Sequence, residues 1–337
     1  MRFMPPHEGG MNVLFHALGR GMRSAVLDLK SDGGRDAFMR LLPRYDILIE
    51  SFRPGVMAKL GLSYDTLAKV SPKLIYCSIS GYGQTGPRAH VAGHDLNYLA
   101  RAGVLGVTGP ADAPPHVPGM HVADIGGGLF SVAAVLSALY ARTQTGRGRH
   151  IDVALSESAT QFALVELMAS RATHAPSDRG QGILTGGIAP YNTYLTKDGG
   201  VVTLAALEAK FWSTFASAVG LPLSLDVMQP GPHQREWKER LRVLFASRTR
   251  AEWEAFSRAH DCCLEPALTP DELVLDAQSR ARDAFVEGAT SVAPLVYPVT
   301  PGTRALTQSM APAQGDHTEE ILREAGLTDD EIRRTHR

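Results

Sequence analysis

Short apolar runs alternate with amphipathic stretches along the first half of the chain. Residues 24–29 (Ser-Ala-Val-Leu-Asp-Leu) read as a short buried strand, and 33–42 follow with Phe38, Leu41 and Leu42 at helical spacing. Residues 45–49 (Tyr-Asp-Ile-Leu-Ile) read as the next strand, ending at Glu50, and Arg53-Pro54-Gly55 starts a short helix through Leu60. Ser63 caps a helix through Val70, and 73–79 make a third strand. Strands and helices joined by short connections predict a parallel α/β sheet. Residues 128–142 are apolar almost all round and predict a buried helix. Gly146-Arg147-Gly148 ends it, a strand resumes over 150–155, and one further helix is expected over 156–173.

The pattern then changes. Residues 180–191 are rich in Gly and Thr and read as a crossing between domains. Beyond them, Tyr194-Leu195 and 201–205 flank Lys197-Asp198-Gly199-Gly200, a hairpin signature. Residues 237–247 are amphipathic through Leu241, Leu244 and Phe245. Thr249 with Glu252, Asp316 with Glu319, and Thr328 with Glu331 have the spacing of capping boxes. A Pro-rich stretch at about 293–313 reads as extended. The expected layout is a large domain whose first part is 1–175, a linker at 176–192, and a small domain at 193–290. Residues 291–337 are expected to return to the large domain and pack helices on it.

Composition narrows the class. A chain of 337 residues can bury a large core in two domains, and 20% charged with 44% hydrophobic residues is a soluble globular balance. A net charge of -1 lacks the basic footprint of a nucleic-acid binder. The three cysteines form neither a disulfide framework nor a zinc spacing, which fits a reducing compartment. No uninterrupted apolar run of about 18 residues occurs, and the N-terminus lacks the apolar region of a signal peptide. A cytoplasmic protein with no membrane partner and no metal is expected.

Two polar groups stand out against this background. His94 follows a Gly/Pro-rich loop and has Asp95 and Asn97 within three residues. Asp124 precedes Gly126-Gly127-Gly128, which open the apolar helix. An imidazole and a carboxylate on two sides of one carbon can remove a proton on one face and return it on the other. A histidine alone is more often structural, and an aspartate before a helix is usually an N-cap. At a helix N-terminus, free N–H groups can also hold an enolate oxygen, and glycines let a ligand approach closely. Gly81-Tyr82-Gly83-Gln84-Thr85-Gly86 matches G-x-G-x-x-G, but Pro87 follows where a dinucleotide site needs a helix. The loop reads instead as a flexible wall over a ligand. Arg2, Lys30, Arg53 and Lys59, near strand ends, are candidate phosphate contacts, though each alone is an ordinary surface charge. Glu208 follows an apolar strand; it is either partly buried near an imidazole or an exposed helix-start carboxylate, and spacing leaves both open. Cys262 and Cys263 read as packing residues.

These features together resemble the family III CoA-transferases, and within them the α-methylacyl-CoA racemases. The likeness runs from about Gly21 to Leu327. It is carried by Leu27-Asp28-Leu29-Lys30-Ser31, Ile49-Glu50-Ser51-Phe52-Arg53-Pro54-Gly55-Val56, Gly81-Tyr82-Gly83-Gln84-Thr85-Gly86-Pro87 and Gly93-His94-Asp95-Leu96-Asn97-Tyr98. Asp124 before its glycines, Gly186-Gly187 with Pro190-Tyr191, and Glu208 with Phe211 complete it. The resemblance implies a Rossmann-like large domain with a smaller α+β domain, in an interlocked homodimer. It implies His94 and Asp124 as acid/base groups, supported by Glu208 from the partner chain. CoA contacts are implied at Leu27, Asp28, Leu29, Lys30, Ser51, Phe52, Arg53, Lys59, Gly93, Asp95, Leu96, Asn97 and Tyr98. CoA enters as part of the acyl-CoA substrate, with no separate cofactor. His94 favours epimerisation of 2-methylacyl-CoA thioesters. The alternatives are CoA transfer between carboxylic acids, with Asp124 carrying the acyl group, and a truncated non-catalytic paralogue. The last arises because family members usually begin with a strand, a Gly-rich turn and a helix before the segment matching residues 1–6, so that unit is expected to be missing.

Overall fold

In the computed structural model, which describes residues 2–176, 178–282, 284–285 and 311–335, the chain folds as two units. One comprises Met1–Asp46, Met57–Leu74 and Leu268–Arg337; the other comprises Ile47–Val56 and Ile75–Ala267. Most of the Pro-rich stretch at 293–313 lies outside the described residues.

In the first unit, Ser31 accepts a hydrogen bond from the Gly34 N–H and so starts the helix Asp32–Leu41. Its buried Ala37 and Leu41 pack with Ile321, Leu322, Leu327 and Ile332 of the C-terminal segment. Thr328 and Glu331 form the expected capping box for the helix Asp329–Arg334. Asp316 does not cap the preceding helix, which begins at Thr318 with His317 as N-cap; its carboxylate accepts from the Ala313 N–H. Residues 24–29 are not a strand. Their backbone bonds go to side chains and loop carbonyls instead: Val26 N–H to Thr318 Oγ1 (3.0 Å), Asp28 N–H to the Thr335 carbonyl (3.1 Å). The expected buried strand is thus absent: no residue of 24–29 is buried, and none pairs in a sheet among the described residues.

In the second unit, β1 (Ile47–Glu50), β2 (Ile75–Ser80) and β3 (Arg149–Ala154) form a parallel sheet in that order. Between β2 and β3 run α1 (Asp95–Arg101) and α2 (Val122–Thr145). Ile75, Cys77 and Val153 point from the sheet to Val135 and Ala138 of α2. The helix stops where Gly146 turns left-handed, φ 68°. It is not buried all round as expected. Ala123, Gly126, Gly127, Ser131, Val135 and Ala138 are covered, while Ile125, Leu129, Val132, Leu136 and Tyr140 are exposed, Tyr140 to 73%. The sheet covers one face of the helix, and among the described residues the other face stays exposed. By length and composition alone α2 could also cross a membrane, with a mean hydropathy of 1.8, although no unbroken apolar run marks it. The helix expected over 156–173 is broken into α3 (Leu155–Thr160), a 3₁₀ turn (Gln161–Ala163) and α4 (Leu164–Thr173). The break sets Phe162 against Gly126, where an added Cβ would meet the ring at 2.7 Å.

The rest of this unit is antiparallel. The hairpin β4 (Tyr191–Leu195) and β5 (Val201–Ala205) turns at Gly199, φ 77°. Three helices follow, α5 (Ala209–Val219), α6 (Gln234–Phe245) and α7 (Arg250–Ala259), then the strand β6 (Leu264–Pro266), which pairs with β5. Thr249 and Glu252 form the expected capping box at α7. Trp212, Phe215, Phe245 and Trp253 are fully buried, and Phe245 stacks on both Tyr194 (4.8 Å) and Phe215 (5.7 Å). Cys262 is buried in the same core, as its packing reading required. Phe245→Ala leaves a large cavity there and should lower unfolding stability by about 3–5 kcal/mol, read by urea denaturation.

Candidate active site

The β1 and β2 strands end at Glu50 and Ser80, and the segments that leave them wall a cleft of about 400 Å³. Ligands of open α/β sheets bind at these carboxyl ends. Ser51, Phe52, Arg53 and Pro54 line one side, and Ser80, Gly81, Ala89 and 91–94 line another, with Asn97 and Tyr98 of α1. The Phe52 N–H is held by Glu50 Oε2 at 2.8 Å. The buried Ser80 hydroxyl has no hydrogen-bond partner among the described residues, which makes it a donor available to a ligand.

The glycines after β2 pack rather than cradle a dinucleotide. A Cβ on Gly81 would meet the Tyr98 ring at 2.4 Å, and one on Gly93 would meet it at 2.7 Å. Tyr98 therefore sits between two glycines, edge-on to Tyr82 at 5.1 Å, with its hydroxyl donating to the Gly93 carbonyl. No helix follows Gly86. The loop is tied to its neighbours: the Gln84 N–H donates to both Asp152 oxygens (3.2 and 3.0 Å) and the Ser156 N–H to the Gly81 carbonyl (3.0 Å). Nothing in the local sequence marked Asp152, because it lies 68 residues away on β3.

His94 is the N-cap of α1, and its backbone N–H donates to Asn97 Oδ1 at 3.1 Å. The next residue, Asp95, turns inward and is 8% exposed. Its Oδ1 accepts from the Ala123 N–H (2.8 Å) and the Asp124 N–H (3.0 Å), the first turn of α2. This contact holds His94 and Asp124 in one neighbourhood. Burial pushes the Asp124 carboxyl above the ordinary carboxylate value, and the like charge of Asp95 adds to this, while His121 and His94 oppose it. Burial likewise raises the Tyr98 phenol, with Tyr82 and Asp124 adding and Arg53 opposing.

Two expectations about Asp124 change. Its own N–H and that of Ala123 are engaged by Asp95, and the Ile125 N–H bonds the His121 carbonyl, so these donors do not point at a ligand. Gly126 and Gly127 admit Phe162 and Leu155 rather than a ligand; only Gly128 is open. Glu208 is the exposed N-cap of α5 and does not line the cleft; the charges beside it include Lys210, both acting on the Cys263 thiol. Leu27, Asp28, Leu29, Lys30 and Lys59 belong to the first unit. There the Asp28 carboxylate accepts from the Lys30 N–H at 2.9 Å. Leu96 is exposed at the start of α1. Arg2 is not a free phosphate contact: it donates to the Pro312 carbonyl and lies 4.0 Å over the Phe15 ring.

Residues 1–318 match the family described as CoA-transferase family III. The chain belongs to that family. It is 37% identical over 321 residues to the alpha-methylacyl-CoA racemase of Homo sapiens, covering 94% of this chain and 84% of that protein. Over 169 residues it is 44% identical to the acetyl-CoA:oxalate CoA-transferase of Acetobacter aceti, covering 50% of this chain and 43% of that one. Among solved structures, a CAIB/BAIF family protein from Brucella suis superposes with a TM-score of 0.82 at 29% identity, covering 96% of this chain and 88% of that one. A racemase and a CoA-transferase are thus both among the proteins this chain is similar to.

The raised Asp124 value has a stability consequence. The folded state binds this proton more tightly than the unfolded state, so ionised Asp124 opposes folding above its folded value. The opposition fades as pH falls through that value and is gone below the unfolded value of 3.8. Asp124→Asn should therefore raise Tm slightly at neutral pH. The difference should shrink toward zero on acidification, measured as Tm against pH for both proteins.

Proposed function

We propose that this chain is a racemase of 2-methylacyl-CoA thioesters, with His94 and Asp124 as its two acid/base groups. The observation that carries this reading is the tether from Asp95, next to His94, to the N–H of Asp124. One group takes the α-proton, the C–H electron pair moves into the thioester carbonyl as an enolate, and the other group delivers a proton to the opposite face. A carboxyl raised above its ordinary value is better matched to both roles than a free one. The enolate oxygen needs donors other than those of Ala123 and Asp124. Helix geometry leaves the N–H groups of Asp95 and Leu96, which directly follow His94, outside the α1 ladder.

Arg53, Ser51 and Phe52 then hold part of the CoA moiety from the cleft wall. We place the chain in a homodimer in which Glu208 of the second chain supports His94. The exposed apolar face of α2 favours self-association, since monomeric proteins seldom leave such a contiguous stripe uncovered. CoA arrives as part of the substrate, and the proton transfers require no separate cofactor.

Incubation with 2-methylacyl-CoA in deuterated water should place deuterium on the α-carbon. His94→Ala should slow that exchange by about 10²–10⁴-fold. Unchanged exchange in this variant would remove His94 from the mechanism. The 44% identity to a CoA-transferase over half the chain supports a second reading, acyl transfer through Asp124. Hydroxylamine distinguishes them: a hydroxamate formed at Asp124 in the presence of acyl-CoA identifies the transferase, and its absence alongside α-exchange identifies the racemase.

A further inference from the structure

The tether makes Asp95 the link between the two proposed acid/base groups. It is buried, it follows His94 directly, and one of its oxygens takes two backbone N–H groups across a tertiary contact. A helix N-terminus satisfied from its own N-cap would need no such partner, but His121, the N-cap of α2, makes no side-chain cap bond. The capping group has been supplied instead by the helix that carries His94.

We propose that Asp95 is a positioning residue for the proton-transfer pair, locking the start of α1 to the start of α2 so that His94 and Asp124 keep one geometry and Asp124 keeps a negative neighbour. The proposal rests on Asp124 acting as an acid/base group. Its physical basis is twofold. Charge-assisted bonds to a buried carboxylate resist displacement, so the relative position of the two helix starts cannot drift. The same carboxylate lies beside the Asp124 side chain and disfavours its ionisation, against the opposing pull of His121 and His94. Tyr98, on the same helix as Asp95, also lies within electrostatic range of Asp124, whereas Glu157 of α3 is not among the groups that shift it.

Two variants test this. Asp95→Asn keeps an oxygen acceptor and removes the charge; Asp95→Ala removes both. With carbon-13-labelled aspartate, the Asp124 carboxyl of Asp95→Asn should titrate at lower pH than in the wild type. This readout needs no activity, so it decides the proposal even if the wild type shows no α-proton exchange and the racemase reading fails. Where exchange is present, the pH limb due to Asp124 should move to lower pH in Asp95→Asn. Asp95→Ala should lose about 10²-fold in kcat with KM for acyl-CoA little changed, as expected for misplacement rather than lost binding. An Asp124 titration that superposes on the wild type in Asp95→Asn, or wild-type kcat in Asp95→Ala, overturns the proposal. If Asp95→Ala fails to fold, the Asp95→Asn titration still decides.

Discussion

One buried carboxylate holds the candidate site together. Asp95 joins the first turn of α1 to the first turn of α2 through two N–H groups at 2.8 and 3.0 Å. A charge-assisted bond of this kind contributes roughly 1.5–3 kcal/mol. Leaving the same N–H groups buried and unpaired would cost a comparable amount. The contact therefore does more than end two helices. It sets the distance scale between the imidazole that begins one and the carboxylate that begins the other.

The cleft depends on a second constraint, close approach at glycine. Gly81 and Gly93 accept the Tyr98 ring between them, and Gly126 and Gly127 accept Phe162 and Leu155. Any side chain at these places would push an aromatic or aliphatic group out of register. The wall that looks like a nucleotide loop is in fact pinned from β3 by Asp152. A fixed wall suits proton transfer, because reacting atoms must be held close before a positioned acid or base is effective.

Much of the scaffold was legible along the chain. The parallel strands, the hairpin around Gly199, the caps at Ser63, Thr249 and Thr328, and the packing role of Cys262 all followed from local pattern. These are features in which neighbours in sequence satisfy one another. The misreadings share a cause. Residues 24–29 needed a strand beside them, Asp316 bonded outward to Ala313, and α2 needed a second sheet to bury its far face. In each case the outcome depends on contacts that lie outside the local sequence.

By itself, the sequence determined the family and the alternation of strand and helix, and it singled out the two residues proposed above as the acid/base pair. Periodicity and turn chemistry carry the alternation, and the motifs quoted above carry the family resemblance, without reference to distant contacts. Only the tertiary structure decided that Asp95 caps α2, that the α2 N–H groups are already engaged, and that Asp124 is held above its ordinary value. Each of these depends on where one oxygen sits relative to a backbone 28 or 29 residues away, and a hydrogen bond is fixed by distance and angle, which residue order does not encode.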